Sequence, residues 1–292
     1  MVYRGRFAPS PSGSLHFGSL VAAMGSYLDA RHNAGVWLLR IEDLDPPREK
    51  PGAAAEIIKT LDAFGFEWHG EITYQSQRTE AYRNALSKLT KAGLTFPCNC
   101  TRKAIRDNCP MGMDGPIYPG TCREKSPKKR LGAIRIKVPD REIHVEDKVH
   151  GSVIYNLQRE LGDFIIQRAD GLFAYQLAVV VDDAQQGITH VVRGTDLLPS
   201  SPRQIYLQQL LGLPTPEYAH LPLVINRKGQ KLSKQSRSRP VDGSQPLSSL
   251  IAAYQFLNQD FPGQLPTGIE EFWDWAIAHW NLKKVPTREQ ER

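Results

Sequence analysis

The sequence predicts an α/β fold built on a parallel sheet, and three observations carry that prediction. A short mixed segment over residues 2–8 is followed by a helical pattern over 19–33, a buried strand over 36–41 and further helical patterns over 53–64 and 79–92. Strand alternating with helix at this spacing marks a parallel sheet with helical crossovers. The strands also end in polar chemistry: a Pro/Ser/Gly turn follows Ala8, and Glu42, Asp43 and Asp45 follow Ile41. Open α/β sheets place their ligands at those carboxyl ends, over helix N-termini. Finally, the chain has 292 residues with 40% hydrophobic and 23% charged side chains. That is ample for a buried core and suggests about two domains, or one core with a large insertion.

Each element has its own signal. In the first helix Leu20, Val21, Met24, Tyr27 and Leu28 recur at helical spacing, and Gly35 stands as the stop. Residues 98–129 break the pattern, being rich in Cys, Pro, Gly and Arg; residues 133–154 alternate as β-structure. Residues 173–181, FAYQLAVVV, read as a buried strand ending at Asp182 and Asp183. A helix is expected over 202–211, a basic Gly/Ser loop over 226–239, and short helices over 247–257 and 269–280. The tryptophans of the last helix, Trp273, Trp275 and Trp280, read as core packing rather than as a base-stacking surface.

The formal net charge of +6 favours anionic partners, nucleic acid above all. No apolar stretch reaches the roughly 18–20 residues that span a bilayer, and Met1 to Gly5 lack the apolar region of an export signal. The expectation is a cytoplasmic monomer with no membrane partner. All four cysteines, Cys98, Cys100, Cys109 and Cys122, fall in one short stretch. Without an export signal, that clustering reads as metal ligation rather than disulfides.

Two motifs point to nucleotide chemistry. In RFAPSPSGSLHFGSL, residues 6–20, a turn leads into a helix whose exposed N–H groups and dipole favour anions. His16 can donate to phosphate oxygens, and Gly18 lets a flat ligand approach the backbone. Read alone, H-x-G also describes a capped helix with an exposed histidine. The second motif is K-L-S-K, where Lys231 and Lys234 can grip a polyphosphate as charge builds during displacement at the α-phosphate. A solvated basic loop is the plainer reading of that tetrad alone.

Together the two motifs resemble the signatures of class I aminoacyl-tRNA synthetases. The segments between them, R-I-E-D (40–43), Y-Q-S-Q-R (74–78), A-Y-Q-L-A-V-V-V-D-D (174–183), G-I-T-H-V-V-R-G (187–194) and D-L-L-P-S-S-P-R-Q (196–204), resemble the glutamyl branch. The resemblance implies a Rossmann-type catalytic domain that activates glutamate with ATP and Mg²⁺. It assigns Arg6, Ala8, Ser10, Glu42, Tyr175 and Arg193 to L-glutamate, and His16, Gly18, Lys231 and Lys234 to ATP and catalysis. The chemistry agrees: a dicarboxylic amino acid calls for arginine against carboxylate and an acid against the ammonium. Leu232, Gln235 and Thr195 depart from the family's usual residues.

Cys98, Cys100 and Cys122 supply three thiolates for a tetrahedral structural zinc. Cys109 is the simplest fourth ligand; a related subfamily's C-x-C and Y-x-x-x-C pattern implies Tyr118 instead. The resulting plan is a first Rossmann half over 1–95, a zinc-containing insertion over 96–170, a second half with the K-L-S-K loop over 171–240 and a short helical part over 241–292. Residues 235–292 are too few for an anticodon-reading domain, so the resemblance narrows to the glutamyl-queuosine tRNA(Asp) synthetase family. That family activates glutamate without tRNA and transfers it to queuosine at the wobble position of tRNA(Asp). The anticodon loop would then occupy the cleft, beside Arg102, Lys103, Arg106, Arg123, Lys125, Lys128, Lys129 and Arg130, which otherwise merely solvate a loop. The other readings are charging of a tRNA acceptor end and a catalytically silent tRNA-binding paralogue.

Overall fold

The computed structural model describes residues 2–112, 115–124, 132–225, 240–261 and 263–291. Lys231, Lys234 and Leu232, with Gln235 and the basic residues Lys125 and Lys128 to Arg130, lie outside the described residues.

The first half runs β1 (Arg4–Phe7), α1 (Phe17–His32), β2 (Val36–Ile41), α2 (Ala53–Ala63), β3 (Thr73–Tyr74) and α3 (Thr79–Lys91). β1 pairs in parallel with β2, and β2 with β3. The period-3.6 pattern of α2 puts Ala53, Ile57 and Leu61 on its buried face. α1 is buried on most of its surface because the sheet covers one side of it and two C-terminal helices cover the other. It ends at His32, and at Gly35 beyond it a Cβ would lie 2.5 Å from the Tyr3 carbonyl oxygen, so the turn into β2 closes only on glycine.

The middle of the chain contains β4 (Thr95–Cys98), α4 (Arg102–Asn108), β5 (Met111–Gly112), β6 (Gly115–Pro116), β7 (Ala133–Ile136), β8 (Glu142–Asp147), β9 (Gly151–Asn156) and β10 (Phe164–Gln167). β4, β7 and β10 form a small antiparallel sheet under the cysteines. β8 and β9 form a hairpin that extends the parallel sheet of the second half. β8 alternates strictly, so Ile143, Val145 and Asp147 point inward.

The second half supplies α5 (Tyr175–Gln185), β11 (His190–Gly194), α6 (Ser201–Leu211), β12 (Glu217–Leu221) and β13 (Val224–Ile225). β11 and β12 are parallel, and β11 lies against β1, where the Thr189 N–H donates to the Arg4 carbonyl at 2.9 Å. α7 (Pro246–Phe256), α8 (Ile269–His279) and β14 (Gln290–Glu291) complete the chain.

Of the expected strand 173–181, residues 175–181 are helical, in α5; Phe173 only bridges to Gln167. Leu177 to Asp183 are all buried in α5, so the helix carries no polar stripe to betray its period. A short continuous apolar run fits a buried strand and a buried helix equally well. Helices cover both faces of the sheet. One core gathers α1, α2, α7 and α8; the other gathers α3, α5 and α6. Trp273 and Trp280 lie in the first core, as expected, and Trp275 packs against it. Among the described residues no helix is long and apolar enough to cross a membrane.

Candidate active site

A cavity of about 670 Å³ opens at the carboxyl ends of β1, β2, β11 and β12. β1 continues to β2 on one side and neighbours β11 on the other, so this is the point where the strand order changes direction. Arg6, Ala8, Ser10 and Glu42 line the cavity from the first half, and Tyr175 and Arg193 from the second. His16 and Gly18 line it from the start of α1. Every predicted glutamate and H-x-G residue therefore faces one space, although Arg6 and Arg193 are 187 positions apart in the chain.

The loop after β1 is held by its backbone. The Pro9 carbonyl accepts the Glu42 N–H at 3.0 Å, and the Pro11 carbonyl accepts the Lys50 N–H at 3.0 Å. His16 is the N-cap of α1: its Nδ1 accepts from the Ser19 N–H at 3.2 Å. It is half-buried, so capping and lining the cavity are the same placement. The first turn of α1 holds no acidic residue, which leaves its positive end uncancelled.

Below the cavity lies a buried ion network. Arg6 donates Nε and Nη2 to the two carboxylate oxygens of Asp183, at 3.2 and 3.3 Å. Arg40, fully buried, reaches Asp183 at 2.8 Å, the Gln186 side chain at 2.6 Å and Glu42 at 3.4 Å. Asp182 accepts from Gln75 and Tyr82, each at 2.7 Å, and from Arg78 at 2.5 Å. A helix turns successive side chains by about 100°, which is how Asp182 reaches Arg78 and Asp183 reaches Arg6 from one segment, with Arg40 between them. Burial is the largest influence on Glu42 and pushes its carboxyl up to about 7, against the pull of Arg40 and Arg6. Arg6 and Arg40 overcome burial at Asp183 and hold it below the usual carboxylate range.

Arg40, Gln75, Arg78, Asp182 and Asp183 were visible only as members of motifs; nothing in their spacing gave them roles. Around the predicted Arg193 and Tyr175 stand residues that the sequence did not assign to the site: Ser201, His220 and Asp147. Arg193 donates Nε to His220 Nε2 at 3.0 Å, Nη1 to the Tyr175 hydroxyl at 3.2 Å and Nη2 to Ser201 Oγ at 2.9 Å. The signal for Asp147 was its position: a carboxylate in the inward row of an alternating strand.

The cysteines divide. The Sγ atoms of Cys98, Cys100 and Cys122 lie within 4.8 Å of one another, whereas Cys109 is outside the group. The Tyr118 hydroxyl lies 3.4 Å from Cys98 Sγ and 3.5 Å from Cys100 Sγ, and accepts the Cys122 N–H at 3.0 Å. Zn–S and Zn–O bonds of about 2.3 and 2.0 Å give tetrahedral edges of roughly 3.8 Å between sulfurs and 3.5 Å between sulfur and oxygen. The Cys100–Cys122 separation of 3.6 Å and the two Tyr118 distances match those edges. The three thiolates could therefore hold a metal ion, with the Tyr118 hydroxyl beside them. Gly162, at φ +65°, supports the cluster from below, where a Cβ would lie 2.5 Å from the Tyr118 nitrogen.

Of the basic residues in this region, Arg102, Lys103 and Arg106 are exposed on α4. Arg123 is engaged within the fold: it donates to Asp163, at 2.7 Å from Nε, and to the Val138 carbonyl at 2.7 Å. A buried carboxylate within reach outcompetes solvent for a guanidinium.

Strand order, the cavity at the crossover and the capped helix beside it define a doubly wound α/β ligand-binding domain, and its class follows from its relatives. The family of class I tRNA synthetases (E and Q), catalytic domain, matches residues 2–246, and the chain belongs to that family. More particularly, it is 53% identical to a glutamyl-Q tRNA(Asp) synthetase of Neisseria meningitidis serogroup C (strain 053442), with 98% of each chain covered. It is 54% identical to the protein of that name from Dechloromonas aromatica (strain RCB), covering 97% of this chain and 96% of the relative. Among solved structures it resembles a glutamate tRNA ligase from Elizabethkingia meningosepticum CCUG26117 in complex with its amino acid. That match has a TM-score of 0.81 at 27% identity and covers all of this chain and 67% of that one.

Proposed function

We propose that this enzyme activates L-glutamate with ATP in the absence of tRNA and transfers the glutamyl group to queuosine at the wobble position of tRNA(Asp). The observation that carries the reading is the convergence of Arg6, Arg193 and Glu42 on the cavity that His16 and Gly18 enter from the start of α1. In the first step the α-carboxylate of glutamate attacks the α-phosphate of Mg²⁺-ATP and pyrophosphate leaves. In the second a ring hydroxyl of queuosine attacks the glutamyl carbonyl and AMP leaves. Glu42, ionised, pairs with the ammonium; Arg193, with Arg6 beside it, takes the side-chain carboxylate and disfavours glutamine. Tyr175, Ala8 and Ser10 shape the pocket between them.

His16, Gly18 and the α1 N-terminus hold the nucleotide. The K-L-S-K lysines, Lys231 and Lys234, belong at the phosphates. Two observations support this: the chain leaves β13 next to the cavity-lining Val224 and returns at Pro240, bridged to His16. Zinc held by Cys98, Cys100, Tyr118 and Cys122 is a structural staple with no open position for chemistry. The enzyme acts as a cytoplasmic monomer, and the exposed cations of α4 face the anticodon loop.

The test has two parts: glutamate-dependent ATP–pyrophosphate exchange without tRNA, then transfer of labelled glutamate to queuosine-modified and unmodified tRNA(Asp). Exchange followed by transfer to the modified tRNA alone is expected. Equal labelling of the unmodified tRNA would sink the queuosine reading, and absence of exchange would sink activation itself.

A further inference from the structure

We infer that Asp147 and His220 are positioning residues for Arg193, holding its guanidinium in place while leaving its charge free for a substrate carboxylate. The inference rests on the glutamate pocket proposed above.

The two cavity arginines are treated differently. Arg6 is matched fork to fork with Asp183. Arg193, 5% exposed, meets only neutral acceptors among the described residues: His220 Nε2, the Tyr175 and Ser201 hydroxyls, and the Leu197 carbonyl at 3.4 Å. A buried cation without a counter-ion is costly, and a carboxylate entering the cavity relieves that cost. An uncharged amide of the same shape does not.

The tautomer of His220 follows from its neighbours. The Nε of arginine can only donate, so His220 Nε2 must present its lone pair. The ring proton is then on Nδ1, which donates to Asp147 Oδ2 at 2.6 Å. Asp147 is itself fixed, because its Oδ1 accepts the N–H groups of Val149, His150 and His220 at 3.0, 2.9 and 3.3 Å. Its charge stops one imidazole short of Arg193. A carboxylate in direct contact would hold the arginine equally well but would cancel it, as Asp183 does Arg6. Burial keeps the imidazole neutral by pushing it down to about 4.

Asp147→Asn tests this with almost no change of shape. Asn Oδ1 stays with the three backbone N–H groups, which puts the amide NH₂ where Oδ2 was. The imidazole must then accept at Nδ1 and carry its proton on Nε2, donor against donor with Arg193. In tRNA-independent exchange, the KM for glutamate is expected to rise about tenfold to a hundredfold, the worth of a hydrogen bond to a charged group. The KM for ATP should be unchanged, and the preference for glutamate over glutamine should fall.

Arg193→Ala runs beside it. If Arg193→Ala leaves the glutamate KM unaltered, the pocket reading fails. If Arg193→Ala raises it and Asp147→Asn does not, only the positioning role is overturned. Long-range ¹H–¹⁵N spectra of the unsubstituted enzyme give a second readout that does not depend on the variant folding. His220 is expected neutral with its proton on Nδ1 at pH 7, and a proton on Nε2 overturns the inference.

Discussion

Glu42 must be charged to bind an ammonium group, yet burial pushes its carboxyl up to about 7. The KM for glutamate should therefore fall as pH rises from 6 to 8, measured by exchange. The same shift has the opposite sign for stability. Between about 4.5 and 7 the folded protein keeps a proton that the unfolded chain has released, so this carboxyl makes the empty enzyme less stable as pH rises. Glu42→Gln should lose glutamate-dependent exchange while its melting temperature falls less than that of the unsubstituted enzyme between pH 5 and 8. Asp183 is the reverse case, a carboxylate held ionised by two buried arginines. Asp183→Ala strands Arg6, takes the nearest carboxylate from Arg40 and should cost about 3–5 kcal/mol in denaturant unfolding. A loss below 1 kcal/mol would show that the arginines find other partners.

At the scale of elements, α8 acts as a clamp on the first half of the sheet. Trp273 stacks edge-on to Tyr27 and Phe66, each at 4.8 Å between centroids, and its Nε1 donates to the Phe64 carbonyl at 3.0 Å. Trp273→Ala should cost about 3–5 kcal/mol, and exchange per folded molecule should survive, because no part of α8 lines the cavity. The cysteine cluster is a second self-contained element. Cys109→Ser should retain one zinc per chain by elemental analysis, and Cys122→Ser should lose it. Gly162→Ala should weaken retention against a chelator, since its methyl group would push Tyr118 away from the thiolates. Zinc lost from Cys109→Ser would move the fourth ligand from Tyr118 to Cys109.

Over the whole molecule, the glutamate pocket and the exposed face of α4 are separate surfaces, so activation and transfer are separable by mutation. Replacing Arg102, Lys103 and Arg106 together by Ala should leave tRNA-independent exchange intact and weaken tRNA binding. It should also flatten the salt dependence of that binding by up to about 0.7 log unit per lost contact to single-stranded phosphates. An unchanged salt slope would remove α4 from the RNA surface.

The alternation of strands and helices, the ligand-bearing strand ends, the cysteine cluster and the buried tryptophans were legible in the sequence. They depend on local periodicity, turn chemistry and composition. That Arg6, Ala8, Ser10, His16, Gly18, Glu42, Tyr175 and Arg193 share one cavity was legible too, through the order and identity of motifs spread along the chain. Tertiary structure decided the rest. Residues 175–181 form a helix that the sequence hid, because both sides of α5 are covered and that erases the period that would have shown it. Arg123 pairs with Asp163 because folding brought the two together. Asp147 and His220 meet only because β8 and β12 are neighbours in the sheet. Hydrogen bonds and ion pairs between distant segments depend on which strands adjoin, and no local pattern records that adjacency.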